Sequence, residues 1–147
     1  MSDRSKKAVD CFNTGFNCSQ AVLSTLGPEL GLERETALRV AGMFGGGMNQ
    51  GEVCGAVSGA FMAIGLTYSK TRDGDEEKRD TGYRLTQEFV GQFCARNGSI
   101  LCRELIGCDI STPEGLAKAR ETDAFAVCPK LVEHAVEILE QVEGVLE

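Results

Sequence analysis

Seven cysteines are the residues of this 147-residue chain best equipped for chemistry. A thiolate is a nucleophile, a metal ligand and a redox group, whereas a thiol is a small hydrophobe, so the surroundings of each sulfur decide its use. The number is odd and no C-x-x-C pair occurs, so the spacing points to metal ligation or reactive thiols rather than to a framework of structural disulfides or a thioredoxin-like motif. The single histidine, His134, has no paired ligand spacing and reads as a solvated surface residue. Glycine gathers around one of the thiols: Gly45, Gly46, Gly47, Gly51, Gly55 and Gly59 share the stretch from Gly45 to Ala60 with Cys54.

The elements that must position these residues read as helices. Apolar residues recur at spacings of three and four, with no alternating strand pattern, which predicts an all-α, single-domain bundle of about six to eight helices. A first helix is expected over Asp3 to Asn13. A second starts behind the N-cap Asn17, with Gln20 completing a capping box, and stops before Gly27-Pro28. A third runs from Glu33 to Phe44 and ends in the glycine run. The fourth, from about Cys54 to Gly65 or Leu66, carries a stripe of Gly55, Ser58, Gly59, Met62 and Ala63 and is expected to be the central helix. A long helix up to about Arg96 offers Tyr83, Phe89, Val90 and Phe93 to the core. Ser99 is expected to cap a short helix over Ile100 to Ile106, Pro113 to open another, and Cys128-Pro129 to open the last, with Leu131, Ala135, Ile138 and Val142 inward.

On this map Cys18, Cys54, Cys102 and Cys128 all fall at helix N-termini, where unpaired N–H groups and the helix dipole favour thiolate. Cys11 and Cys94 fall near helix C-terminal ends and Cys108 follows Gly107 in a loop, so these three read as small buried hydrophobes.

The chain resembles, over essentially its whole length, the C_GCAxxG_C_C family of redox-active proteins. The resemblance is carried by Phe16-Asn17-Cys18-Ser19-Gln20-Ala21-Val22, Phe44 to Met48, Gly51-Glu52-Val53-Cys54-Gly55-Ala56-Val57-Ser58-Gly59-Ala60, Asn97 to Leu105, and Val127-Cys128-Pro129-Lys130-Leu131-Val132. It implies that Cys18, Cys54, Cys102 and Cys128 are the characteristic cysteines and that the protein is a small bacterial or archaeal redox protein. In related domains fused to cytochrome-type electron-transfer proteins the four cysteines look like iron–sulfur ligands. This chain has no C-x-x-C-H haem attachment site, so a redox partner would be a separate protein.

Four thiolates brought together repel one another unless a cation neutralises them. Zinc and a [2Fe–2S] cluster both take four cysteines, but zinc modules carry C-x₂₋₄-C knuckles and this chain has none, whereas a cluster tolerates dispersed ligands and is tuned by N–H donors to sulfur. The favoured expectation is therefore a [2Fe–2S] electron-transfer site on Cys18, Cys54, Cys102 and Cys128, with Gly45, Gly46, Gly47, Gly51 and Gly55 supplying backbone donors and close approach. Catalytic turnover is not implied. A metal-free thiol–disulfide protein is the first alternative and a structural zinc-binding interaction module the second.

Other chemistry fails on the residues. Gln50 stands where G-x-G-x-x-G needs glycine, and Glu52 where a Walker A loop from Gly46 needs lysine. A formal net charge of −7 argues against nucleic acid or an anionic membrane as partner. The polar N-terminus lacks an apolar leader and no apolar stretch is long enough to span a bilayer, so a soluble cytoplasmic protein without membrane insertion is expected. A homodimer suits an electron carrier, although no heptad or self-complementary patch marks one.

Overall fold

The computed structural model describes residues 1–146. Eight α-helices follow one another among these residues: α1 (Asp3–Asn13), α2 (Cys18–Leu26), α3 (Arg34–Ala41), α4 (Gly55–Tyr68), α5 (Glu76–Asn97), α6 (Cys102–Ile106), α7 (Pro113–Glu121) and α8 (Cys128–Gln141). The protein is all-helical. The only extended pairing among the described residues is an isolated antiparallel bridge between Val53 and Leu101. None of the helices is long and apolar enough to cross a membrane.

Helix α4 owes its central place to its small residues. Alanine and glycine fill five of its seven buried positions, Val57 and Ile64 the other two, and it packs on α2, α5 and α8. A methyl group added at Gly59 would meet the Ser19 carbonyl oxygen at 3.0 Å, and one at Gly55 would meet the Ser19 nitrogen at 3.0 Å, so only glycine lets the two backbones come this close. That approach sets the start of α4 against the start of α2. On the other side α4 meets α5 through Phe61 and Phe89, edge to face at 6.1 Å, and Phe89 stacks on Phe93 at 5.8 Å. Phe89 and Phe93 are fully buried, and each such side chain contributes on the order of 1.5–3 kcal/mol by burial alone. Helix α8 closes the core with Leu131, Val132, Ala135, Val136, Ile138 and Leu139 all inside.

Several expectations are corrected by side-chain chemistry. Helix α3 ends at Ala41 rather than Phe44, because α2 caps it from outside: Gln20 Nε2 donates to the Leu38 carbonyl at 3.0 Å, Ser19 Oγ to Ala41 at 2.8 Å and Asn17 Nδ2 to Gly42 at 3.0 Å. With those carbonyls satisfied, the chain is free to leave the helix. Ser99 does not cap α6. Its hydroxyl accepts from the Leu101 N–H at 2.9 Å, while Leu101 takes the cap position, because residues 100 and 102 are held in the bridge to residues 52–54. Tyr83 faces outward at 64% exposure beneath the Arg79 guanidinium, and Leu85 is buried instead. Val90 is half-buried. His134 is half-buried as well, with Nδ1 2.9 Å from Asn97 Oδ1, which ties α8 to the end of α5.

Candidate redox site

Four segments deliver one sulfur each. Cys18 is the first residue of α2, behind Asn17, whose capping box with Gln20 is complete. Cys54 is the N-cap of α4, and Cys102 and Cys128 are the first residues of α6 and α8. The short bridge locks two of them in register: the Cys54 N–H donates to the Ile100 carbonyl at 2.7 Å and the Cys102 N–H to the Glu52 carbonyl at 2.6 Å. Between 3% and 7% of the surface of each of the four is exposed, and all four line a single cavity of about 120 Å³. Phe12, Leu105, Ile106, Phe125 and Leu131 make the rest of its wall apolar. Cys11, Cys94 and Cys108 are half-buried outside this cavity, Cys11 with its sulfur 3.6 Å from Ser24 Oγ.

The glycines divide their work. Gly46 and Gly55 line the cavity, whereas Gly45, Gly47 and Gly51 do not. Gly46, Gly47, Met48 and Asn49 are consecutive residues in the left-handed region, with φ of 66°, 63°, 61° and 57°. A run of four is unusual, since L-residues visit this region singly. It tucks Gly47 against the backbone of Glu52, where a Cβ would overlap the Glu52 amide, and the Glu52 N–H donates to the Gly47 carbonyl at 3.0 Å. Its consequence for the site is that the Gly46 N–H reaches the Cys18 sulfur.

The four thiols do not share one ionisation state. Hydrogen bonds from the Cys128 and Cys54 thiols, helped by the Gly46 N–H and its own N–H, hold the Cys18 thiol well below the usual cysteine range despite burial. The others move the opposite way. Cys54 and Cys128 are pushed well up, each chiefly by its hydrogen bond to Cys18 and then by burial, and burial together with the Cys18 charge pushes Cys102 up to about 11. At Cys54, Cys102 and Cys128 burial and the neighbouring sulfurs thus oppose the thiolate-favouring effect of a helix start, since one negative charge in an apolar cavity disfavours a second. The Ala56 and Val57 N–H groups at the start of α4 act on the Cys54 sulfur in the thiolate-favouring sense, but they are outweighed.

Four cysteine sulfurs, which are soft donors, share one apolar-walled cavity. Among the described residues, no three Cys, His, Asp or Glu side chains are arranged around one point to hold a single metal ion. At the outer edge Arg103 bridges Glu52, at 3.0 Å, and the Gly51 carbonyl, at 3.2 Å. Glu52 is therefore an exposed ion-pair partner rather than a group facing the sulfurs, and Lys130 does not line the cavity. Sequence reasoning missed Phe12 and Phe125, which shield the sulfurs from two sides; nothing in their local spacing distinguishes them from other core aromatics.

A helical frame that buries four cysteines from four separate segments around one cavity defines a class of proteins with a cysteine-built centre. Within it, the chain belongs to the family described as "Putative redox-active protein (C_GCAxxG_C_C)", whose model matches residues 16–142. No match to a curated protein or to a solved structure accompanies it.

Proposed function

We propose that this protein is an electron carrier whose Cys18, Cys54, Cys102 and Cys128 hold a [2Fe–2S] cluster in the cavity they line. The observation that carries this reading is the convergence itself: four sulfurs from distant segments line one cavity of about 120 Å³, whereas a single reversible disulfide needs only two. A binuclear cluster asks for two pairs of cysteines, one pair per iron, rather than three or four donors around one ion. When bound, such a cluster supplies reversible one-electron chemistry. The protein's own part is to fix the sulfurs, to set the Gly46 N–H beside the Cys18 sulfur and the start of α4 behind the Cys54 sulfur, and to exclude water with Phe12, Leu105 and Phe125. Donors of this kind raise a reduction potential by stabilising charge on sulfur.

A second reading, a metal-free thiol–disulfide protein, is favoured by one observation: the Cys18 thiolate is hydrogen-bonded by both the Cys54 and Cys128 thiols. Either could form a disulfide with it, releasing the thiol's one proton and passing two electrons to an external two-electron oxidant.

Anaerobic purification followed by reconstitution with ferrous iron and sulfide separates the readings. The cluster reading expects visible absorption and about two iron and two sulfide per chain. A colourless product free of iron and sulfide overturns it and leaves the thiol–disulfide reading, while about one zinc per chain and no iron supports a structural metal site.

A further inference from the structure

A second concavity, a groove of about 580 Å³, lies on the outer side of the left-handed turn. Asn17, Gly46 and Phe125 line both this groove and the thiol cavity, so the two are separated by a wall one residue thick. The groove's apolar lining includes Met43, 80% exposed, and Met48, 53% exposed, facing Ile110 and Leu116. Two large thioethers held in solvent beside a concave surface are poor for solubility and good for a ligand, because methionine adapts to an irregular apolar body. The volume is that of a small-molecule site rather than of a water pocket.

Charge selects the occupant. Among the described residues Arg120 is the one charged side chain lining the groove, with no carboxylate beside it, in a chain whose formal net charge is −7. Arg120, like Arg34, Arg39 and Arg72, forms no ion pair with any described residue, whereas Arg4, Arg79, Arg84, Arg96 and Arg103 all do, so its charge is left for a ligand in the groove. Asn49 and Gln50 add amide groups along the same edge.

We propose that this groove binds a small organic anion with an apolar body, its acidic group on Arg120 and its body against Met43, Met48 and Phe125. A ligand there lies against the far side of the wall that carries the Gly46 N–H to Cys18. Binding is independent of what the four sulfurs hold, so the test is made without reference to iron content.

Titration with 8-anilinonaphthalene-1-sulfonate, which joins an apolar body to one acidic group, should show one site per folded chain. Arg120→Gln should weaken it roughly tenfold, the loss of one charged hydrogen-bonding partner, while N-phenyl-1-naphthylamine, the same body without the sulfonate, binds both proteins alike. Arg72→Gln, an exposed arginine outside the groove, should bind like the parent. Equal affinity of the parent and Arg120→Gln for the sulfonate, or an equal loss in Arg72→Gln, overturns the proposal. Because Arg120 is exposed and unpaired among the described residues, the substitution leaves the core intact, and an unchanged unfolding midpoint verifies this.

Discussion

The side chain of Asn17 occupies the space that a methyl group at Gly45 would need. The same side chain does three other things: its Oδ1 accepts from the Gln20 N–H at 3.0 Å and from Ser19 Oγ at 2.8 Å, and its Nδ2 donates to the Gly42 carbonyl at 3.0 Å. Asn17 thus caps α2, ends α3 and seats the glycine turn one residue from Cys18 and one residue from Gly46. Gly45→Ala should displace it and loosen all three. The expected cost is about 1–3 kcal/mol, from a lost N-cap and an overpacked contact, read from denaturant unfolding. Because the Gly46 N–H is carried along, thiolate absorbance near 240 nm should also titrate at higher pH than in the parent.

Cys18 and Cys94 should behave as different kinds of cysteine. In metal-free protein the parent is expected to begin forming thiolate well below pH 9, since Cys128, Cys54 and Gly46 all donate toward Cys18. Cys18→Ser should abolish that early phase and, on the cluster reading, iron loading with it. Cys94→Ser should change neither, because Cys94 lies outside the cavity near the end of α5. A parent whose thiolate absorbance first rises above pH 9 would sink the assignment of Cys18 as the ionised member.

The left-handed turn separates conformational strain from steric conflict. Met48 and Asn49 adopt φ of 61° and 57° without being glycine, at a cost of order 1–3 kcal/mol each. Met48→Gly removes that cost at the expense of a freer unfolded chain, so stability should be unchanged or up to about 1 kcal/mol higher. Met48→Val should lose more than about 1 kcal/mol, since a β-branched residue is the poorest choice there. Gly47→Ala should be worse than either, because its methyl would overlap the Glu52 backbone. Thermal unfolding of the three variants should follow that order.

What the sequence disclosed, and what it hid, divides along physical lines. The helix starts at Asn17, Thr112 and Cys128 were readable because capping and proline rules act within a few residues. The small-residue stripe of α4 likewise implied a close neighbour, although not that the neighbour would be Ser19. The early end of α3 was hidden because its caps come from residues 17–20, a long way back along the chain. The four cysteines could be sorted from the other three by position, yet their unequal ionisation could not. It arises from burial and from hydrogen bonds among the sulfurs, with one sulfur's charge added to them, a property of the assembled fold rather than of any segment.

His134 makes the last case, since its pairing crosses from α8 to the end of α5 and its environment is set by both. Burial first, and then the Arg96 guanidinium, hold its imidazole below the ordinary value of 6.5, against the opposing pull of Glu133 and Glu137. Arg96 stays close because it pairs with Glu137 at 2.9 Å. A histidine whose folded value is depressed binds its proton more readily in the unfolded chain, so its contribution to stability is fully present above pH 6.5 and is lost as pH falls through the folded value. The unfolding midpoint should therefore decline as pH is lowered from 7.5 to about 5.5, before most carboxylates titrate. His134→Gln, which keeps an amide within reach of Asn97 but cannot gain a proton, should flatten that decline, whereas Arg96→Gln should shallow it only partly by leaving the burial contribution in place. A decline of equal steepness in His134→Gln would assign the acid sensitivity to other groups and leave the Asn97 contact as packing alone.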